Sequence, residues 1–468
     1  MKIFQSKVIK LNPQIFLIIN FLVAGIIFSL SLSSSFPDQN DYLALAEGIL
    51  NGKFSSYFYL ENYYPATLRS PGYPLFLASL LAVSQTSLFV KFVQLFLYFI
   101  SIILALKIIE KLSDSQLSQY IFIALSTICI QIPYYSALIS SESLTIFLII
   151  LNLYILLIKD IKNILVNFLT GITFSFLVLT KPAFLFLPFL LLFAAIALKN
   201  NLKNYIFIVI FFLVGLIPFS AWNHANHGIF KPTTIEGMAT IAHMGYWNFK
   251  LPVGYKSKFD DYQSFIVSDF TNPFKFSDEN YAANMVAFEA EWNQINEELD
   301  GLLSQSFKVD LAYMKEDPTI FISYPSNYII KREELLKAAI IENIKKDPLY
   351  YLSTRAYNFF RVFFTGINVS NFTDAKGFFE KLQMMLAFTI SFTIIFCGFL
   401  YSTFYIIKNW TTLSSEMLTL YCYIFYTAAV HVPFSVQARY TVPIHLCLLI
   451  LLSIITTQKN KSPIKSLL

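Results

Sequence analysis

The chain has 468 residues, of which 56% are hydrophobic and only 13% are charged. Soluble domains carry roughly 25% charged residues, so this composition excludes an ordinary water-soluble protein and indicates lipid as the main solvent. The net charge is only +5, and we expect no nucleic-acid partner.

Apolar runs long enough to cross a bilayer, which takes about 20 residues, recur along the chain. We predict ten transmembrane helices, at about residues 14–33, 86–106, 118–136, 143–158, 164–179, 183–198, 205–221, 383–407, 416–433 and 441–457. An eleventh candidate, Leu349 to Phe364, contains Arg355 and Arg361. Two charges inside a span would cost about 5 kcal/mol, so we expect this segment to lie at the membrane surface as an amphipathic helix.

The lysines predict the orientation of this bundle, because short cytoplasmic loops collect positive charge. With a cytoplasmic N-terminus, the inside segments hold thirteen lysines, whereas the short outside connections hold only Lys181 and Arg439. The thirteen are Lys2, Lys7, Lys10, Lys107, Lys111, Lys159, Lys162, Lys199, Lys203, Lys408, Lys459, Lys461 and Lys465. We therefore predict that both termini are cytoplasmic and that two long segments, about 34–85 and 222–382, lie outside.

The outer segments show helical spacing of apolar residues but no separate soluble module. We predict short helices from about Asp41 to Leu50 and from Pro74 to about Val83, and longer ones near 277–308 and 326–346. The resulting division is an N-terminal transmembrane module (1–221) that carries the first outer loop, an outer-face region (222–382) and a C-terminal transmembrane module (383–468).

Three cations are predicted to lie at the outer mouth of the apolar bundle. They are Arg69, in the rigid sequence Leu68-Arg69-Ser70-Pro71-Gly72-Tyr73-Pro74, together with Lys181 and Arg439. Three cations in this place suit an anionic lipid headgroup, above all a phosphate. The alternative is that each side chain extends separately to the phosphates of membrane lipids.

Carboxylates accompany these cations on the predicted outer side. Asp38 and Asp41 stand at the start of the first outer helix, and Glu142 opens the fourth span. Two structural roles compete with a chemical one: Asp38 could be an ordinary N-cap, which contributes about 1 kcal/mol, and Glu142 could be favoured by the dipole of its helix.

Ordered motifs along nearly the whole chain resemble the glycosyltransferase family 39-like proteins, which include protein O-mannosyltransferases and lipid A aminoarabinose transferases and have the GT-C fold. The first outer loop supplies Asp38 to Tyr42, Leu45-Ala46, Gly52 and Arg69 to Pro74. The later matches are Gln94, Ser141-Glu142, Thr180-Lys181-Pro182, Pro218, Trp222 to Asn226, Arg439-Tyr440 and Pro443.

The resemblance implies an all-α polytopic fold with outer-face juxtamembrane helices, and transfer of a sugar from a polyprenyl-phosphate donor to an acceptor on the outer face. It implies that Asp38 is the general base, that Arg69 holds the donor phosphate with Lys181 and Arg439, and that Glu142 lines the same cavity. Tyr42, Tyr73 and Tyr440 are expected to support these groups.

The chain departs from the family's pattern in two places. The family usually has arginine where Lys181 stands, and lysine lacks the fork of donors that an arginine offers. The family's Trp-x-x-Arg-Asn reads Trp222-Asn223-His224-Ala225-Asn226 here, so that arginine is missing. His224 and Lys231 are candidates to replace it.

A polyprenyl phosphate is a good leaving group, so the reaction needs a base and cationic stabilisation but no general acid. We predict inversion at the anomeric centre and no cofactor; the sequence does not support a divalent cation. The expected partners are the lipid-linked donor, a lipid, glycan or protein acceptor, and membrane lipids. The expected location is a bacterial inner (plasma) membrane with the site on the periplasmic or extracellular side.

Three other functions remain open on the sequence. The first is a polysaccharide polymerase or ligase, which is another membrane enzyme. The second is a transporter of polyprenyl-linked lipids, although such proteins place ionisable residues deep in their spans. The third is a non-catalytic lipid-binding protein, an alternative that the missing arginine at Ala225 leaves open.

Overall fold

The computed structural model describes residues 12–197, 202–252, 274, 276–302, 324–363, 377, 385, 389–434 and 439–458. These residues form helices and connecting loops, with no strand among them. In chain order the α-helices are α1 (Pro13–Leu30), α2 (Gln39–Leu50), α3 (Gly72–Leu81), α4 (Ser87–Leu112), α5 (Gln116–Ile128), α6 (Gln131–Ser136), α7 (Ser141–Ile158), α8 (Ile164–Thr180), α9 (Leu187–Ala197), α10 (Leu202–His227), α11 (Met238–Trp247), α12 (Asp278–Leu299), α13 (Ser326–Lys346), α14 (Pro348–Arg361), α15 (Cys397–Lys408), α16 (Ser415–His431) and α17 (His445–Gln458).

Four of the described helices, α1, α4, α7 and α10, are long and apolar enough to cross a membrane. Shorter apolar helices accompany them at Gly72–Leu81, Ile164–Thr180, Pro182–Ala197, Thr393–Lys408 and Val442–Gln458. Large aliphatic side chains such as Leu22, Ile26 and Leu213 are exposed on these helices. Such surfaces are stable in lipid rather than in water. The chain is thus a helical membrane protein, and the count of ten spans stays a prediction.

The predicted third span, 118–136, is wrong as a single helix. The structure divides it into α5 and α6, with a break at Cys129 and Ile130. Pro133 explains the break, because a proline ring clashes with the carbonyl four residues earlier, here that of Cys129, and donates no N–H. The predicted 183–198 helix likewise begins as a 3-10 turn at Pro182–Phe184 before α9 starts.

Most of the other predicted elements agree with the structure to within a few residues. Two helices run further than predicted: α4 ends at Leu112 rather than at about 106, and α10 ends at His227 rather than at about 221. The start of the predicted 383–407 span lies mostly outside the described residues, and α15 covers its end. The helix expected from Asp41 to Leu50 is α2, and the one expected at Pro74 begins two residues earlier as α3. The 326–346 helix is α13, and α12 covers the described part of the 277–308 pattern.

Two hydrophobic cores organise the described residues. The larger core lies within the bundle and contains, among others, Phe174, Tyr423 and Leu449. The smaller core joins α11, α12 and α13 around Phe288 and Trp292, and it also takes in Tyr57 from the segment between α1 and α4. Since α2 and α3 of the same segment pack into the larger core, this segment contributes to both cores.

Helix α14 connects these two parts and is amphipathic, as the sequence predicts. Leu349, Leu352 and Phe360 are exposed, whereas the Arg355 guanidinium is buried and donates to the carbonyls of Pro433 (2.8 Å) and Gly245 (2.6 Å). Because Gly245 belongs to α11 and Pro433 follows α16, this one side chain ties the smaller core to the bundle.

The bundle has two chemically different ends. We call the end at which α1 and α8 finish and α4 and α7 begin the cluster end. The opposite end carries the described lysines of the inside set, Lys107, Lys111, Lys159, Lys162, Lys203 and Lys408. Lys2, Lys7, Lys10, Lys199, Lys459, Lys461 and Lys465 lie outside the described residues. The sidedness of the bundle in its membrane stays a prediction.

Candidate functional site

Helix α2 brings two carboxylates to the cluster end. Asp38 occupies the N-cap position of α2, but its side chain makes no capping hydrogen bond, so the capping alternative is wrong. Asp41 lies three residues further on, in the first turn. Residues three apart lie on the same face of a helix, and both carboxylates accordingly face the same arginine.

That arginine is Arg69. Its Nη2 lies 3.1 Å from Asp38 Oδ1 and its Nε lies 2.8 Å from Asp41 Oδ2. The other oxygen of Asp41 accepts a hydrogen bond of 2.6 Å from Ser56 Oγ. The guanidinium also lies over the Tyr42 ring, 5.2 Å from its centroid. Arg69 is thus held by two acids and one aromatic ring.

A second arginine reaches the same site from the far end of the chain. Arg439 Nη2 lies 3.0 Å from Asp38 Oδ2, and its Nε lies 3.8 Å from Glu142 Oε1. Glu142 Oε1 also accepts from Lys181 Nζ at 3.3 Å. The sequence thus predicts five residues that the structure joins in one chain of ion pairs, with Asp38 between the two arginines.

The loop that carries Arg69 is fixed by close packing against the bundle. A Cβ at Gly72 would lie 2.6 Å from the backbone of Leu179 and Thr180, so only glycine fits there. The next residue, Tyr73, is buried and donates a 2.7 Å hydrogen bond to Gln94. Gln94 in turn donates to the Leu138 carbonyl at 2.6 Å. These contacts explain why Gly, Tyr and Gln stand at these positions.

Aromatic rings cover the remaining sides of the ion-pair network. Tyr42 and Tyr73 meet edge to face at 4.9 Å. Arg439 lies over Phe36, 4.5 Å from the ring centroid, and Lys181 lies 5.9 Å from the centroid of Tyr440. These rings reduce the access of water, and so each charge interacts more strongly with its partners.

The carboxylates are almost completely buried: Asp38 is 6% exposed, Asp41 3% and Glu142 2%. Burial opposes ionisation of Asp38, but the guanidinium groups of Arg69 and Arg439 outweigh it and hold the pKa of that carboxyl below its ordinary value. Burial likewise opposes the charge on Arg69, and the neighbouring Tyr42, Asp38 and Asp41 nevertheless raise its pKa. Both residues are therefore charged at neutral pH.

The formal charges of the network cancel. Three cations and three carboxylates, Arg69, Lys181, Arg439, Asp38, Asp41 and Glu142, give +3 − 3 = 0. The residues predicted for the site include the three cations, Asp38 and Glu142 but not Asp41. The spacing of three between Asp41 and Asp38 is the signal in the sequence that could have placed it on the same helix face. Ser56, at an ordinary loop position, carries no such signal.

The two proposed replacements for the missing arginine do not join the network through any described contact. His224 is exposed on α10, as is Ala225. Lys231 lies elsewhere, in an apolar groove of about 470 Å³ between the end of α10, α11 and α13, near Glu333 and Lys337. In the described part of the chain, no group of three or more His, Cys, Asp or Glu side chains is placed to hold a metal ion.

Comparison with known proteins finds similar solved structures, among them two from Archaeoglobus fulgidus. One is the oligosaccharyltransferase of Archaeoglobus fulgidus tethered to an acceptor peptide that contains the NVT sequon, at 13% identity and a TM-score of 0.47, with 96% of this chain and 50% of that chain covered. The other is the oligosaccharyltransferase AglB of the same organism with an inhibitory peptide and a dolichol-phosphate, at 12% identity and a TM-score of 0.44, with 95% and 50% covered. The chain spans half the length of each. No family model and no curated protein matches the sequence.

Proposed function

We propose that the chain is a membrane glycosyltransferase that moves a sugar from a polyprenyl-phosphate donor to an acceptor on the outer face of the membrane. The observation that carries the proposal is the ion-pair network itself. Residues from position 38 to position 439 bring three cations and a shared carboxylate together at one end of an apolar bundle. An isolated ion pair would stabilise such a bundle little, since burying charges opposes folding. Buried titratable clusters of this kind are typical of functional sites.

In the proposed reaction, Asp38 is the general base and takes the proton of an acceptor hydroxyl. The acceptor oxygen forms a bond to the anomeric carbon as the bond from that carbon to the phosphate oxygen breaks, with inversion. The donor phosphodiester has one negative charge, and the released polyprenyl phosphate has two. The proton on Asp38 compensates the added charge, so the net charge of the occupied site does not change during transfer.

The cations stabilise the charge that develops on the leaving phosphate. Arg69 and Arg439 each have a second acid, Asp41 and Glu142, besides Asp38. A phosphate oxygen can therefore take the place of Asp38 on either guanidinium while the other acid keeps the arginine nearby. This exchange also releases Asp38 toward the acceptor, because its oxygens no longer both face an arginine.

Binding of the product common to all such donors tests the proposal without knowledge of the sugar. Purified protein in detergent is titrated with a C55 polyprenyl phosphate and, as the matched control, with the uncharged C55 polyprenol. The proposal expects binding of the phosphate at least tenfold tighter than that of the alcohol, and loss of this preference in Arg439→Ala. Equal affinities for the two lipids would refute it. Mass spectrometry of cell-surface glycans and lipids from a deletion strain then identifies the missing sugar and the accumulated donor.

A non-catalytic lipid-binding protein is the second candidate, and one observation favours it. The charges of the network already cancel, so the described cations do not need the charge of a substrate to balance them. Such a protein would prefer the phosphate as the enzyme does, but its deletion would leave every surface glycan intact.

We further propose that the chain lies in a bacterial inner (plasma) membrane. The lysine distribution gives the proposed orientation, with both termini cytoplasmic and the cluster end outside. The acceptor is a lipid, glycan or protein. The division into modules 1–221, 222–382 and 383–468 belongs to the same proposal.

A further inference from the structure

We propose that Asp41 is a positioning residue that keeps Arg69 in place while Asp38 gains and loses its proton. This inference rests on the proposed function, because it assigns a role within the same site. It starts from an asymmetry between the two aspartates, which lie on one helix face yet have different neighbours.

Asp38 contacts two arginines, whereas the described contacts of Asp41 are with Arg69 and Ser56. The two oxygens of Asp38 face two different arginines, Arg69 and Arg439. The oxygens of Asp41 face Arg69 Nε on one side and the Ser56 hydroxyl on the other, at 2.8 and 2.6 Å. The hydrogen bond from Ser56 therefore fixes the orientation of the Asp41 carboxylate toward Arg69.

The atoms of Arg69 that each aspartate uses are also different. Asp41 takes the Nε edge of the guanidinium, and Asp38 takes Nη2. The guanidinium is planar and presents its donors in a fixed fork. Holding Nε therefore fixes the direction in which the Nη groups point. When Asp38 is protonated or displaced by a phosphate, Asp41 still fixes that direction, and Arg69 offers its Nη groups to the phosphate.

The two aspartates that contact Arg69 therefore have different functions: Asp38 exchanges a proton, and Asp41 holds the arginine. If Asp38 alone held Arg69, the loss of its charge during transfer would free the arginine at the moment when the leaving phosphate gains charge. With Asp41 in place, Arg69 keeps one counter-anion throughout. Arg439 has Glu142 at 3.8 Å in the corresponding position, so each arginine has one acid besides the shared one.

The test is a pair of double-mutant cycles read by the affinity for C55 polyprenyl phosphate. In the first cycle, Asp41→Asn and Arg69→Lys are made singly and together. Because the arginine fork matters only while Asp41 holds it, Arg69→Lys should weaken binding much less in the Asp41→Asn background than in the wild-type background, a deviation from additivity of tenfold or more. In the second cycle, Asp41→Asn is combined with Arg439→Lys, which has no contact with Asp41, and the deviation should be at least threefold smaller. A merely structural role of Asp41 would lower affinity in both cycles alike.

Ser56→Ala and Glu47→Gln complete the set. Ser56→Ala removes only the hydrogen bond that orients Asp41, and it should weaken lipid phosphate binding several-fold in a fully folded protein. Glu47→Gln removes an exposed carboxylate from the same helix and should bind as the wild type does. If the wild type shows no preference for the phosphate over the alcohol, the proposed function fails. If the preference is present but the first cycle is additive, or Ser56→Ala binds as tightly as the wild type, only the role of Asp41 is refuted.

Discussion

Replacing Asp38 by Asn should strengthen the binding of a lipid phosphate and at the same time lower turnover. The substitution is nearly isosteric and removes one negative charge from a network whose charges sum to zero. The site then has a net charge of +1, while Arg69 and Arg439 retain Asp41 and Glu142. An anionic lipid phosphate should therefore bind more tightly to the variant, although the variant has no base.

The magnitude follows from the distances. A phosphate on the guanidinium groups that lie 3.1 and 3.0 Å from the Asp38 oxygens would come within about 5 Å of that carboxylate. At an effective dielectric constant of about 20, the repulsion between two unit charges at this distance is about 3 kcal/mol. A factor of ten in affinity corresponds to about 1.4 kcal/mol, so the gain has an upper limit near a hundredfold. Loss of a general base lowers the rate by about 10²- to 10⁴-fold.

The assay uses one preparation for both quantities. Affinity for C55 polyprenyl phosphate is measured by titration in detergent, and turnover is measured with the donor that the deletion strain accumulates. Glu47→Gln is again the control, because it removes one carboxylate from the same helix without entering the network. Weaker binding of the phosphate by Asp38→Asn than by the wild type, or retained turnover, would refute the role given to Asp38.

Three further predictions concern stability. Gly72→Ala should lower the unfolding temperature, because the new methyl group would lie 2.6 Å from backbone atoms and overpacking costs about 1–3 kcal/mol. The control is Gly25→Ala, where a methyl group would have nothing within 4 Å. Equal unfolding temperatures for the two variants would contradict the packing argument. The lowered pKa of Asp38 means that its ionised form stabilises the folded protein above the ordinary carboxyl pKa of about 3.9, and that this contribution disappears as the pH falls through the pKa of the folded state. The unfolding temperature should therefore decrease as the pH is lowered below about 4, and it should decrease less steeply in Asp38→Asn. Parallel pH curves for the two proteins would count against this role of Asp38. Arg355→Met should destabilise the protein by about 3 kcal/mol, because it leaves the buried Gly245 carbonyl and the Pro433 carbonyl without their donor. Limited proteolysis should then cleave between the smaller core and the bundle, and an unchanged digestion pattern would show that Arg355 does not hold the two together.

Much of the fold could be predicted from local patterns. Helices α2, α13 and α14 begin and end close to where apolar spacing and proline predict. Local patterns fail where one residue acts against its surroundings, as Pro133 does in dividing a long apolar run into α5 and α6. The number of spans stays a prediction, since four of the described helices are long and apolar enough to cross a membrane and shorter apolar helices accompany them.

The candidate site divides in the same way. The sequence by itself determined which residues lie at one end of an apolar bundle. Charged side chains are placed at the ends of the spans because charge in lipid is costly, and glycine and proline mark the loops between the spans. The sequence placed Arg69, Lys181, Arg439, Asp38 and Glu142 among the candidates. Only the tertiary structure decided which of them are paired, that Asp41 completes the set, and that the charges cancel. The physical reason is that a salt bridge such as that between Asp38 and Arg439 joins residues about 400 positions apart, and its geometry depends on every helix that packs between them.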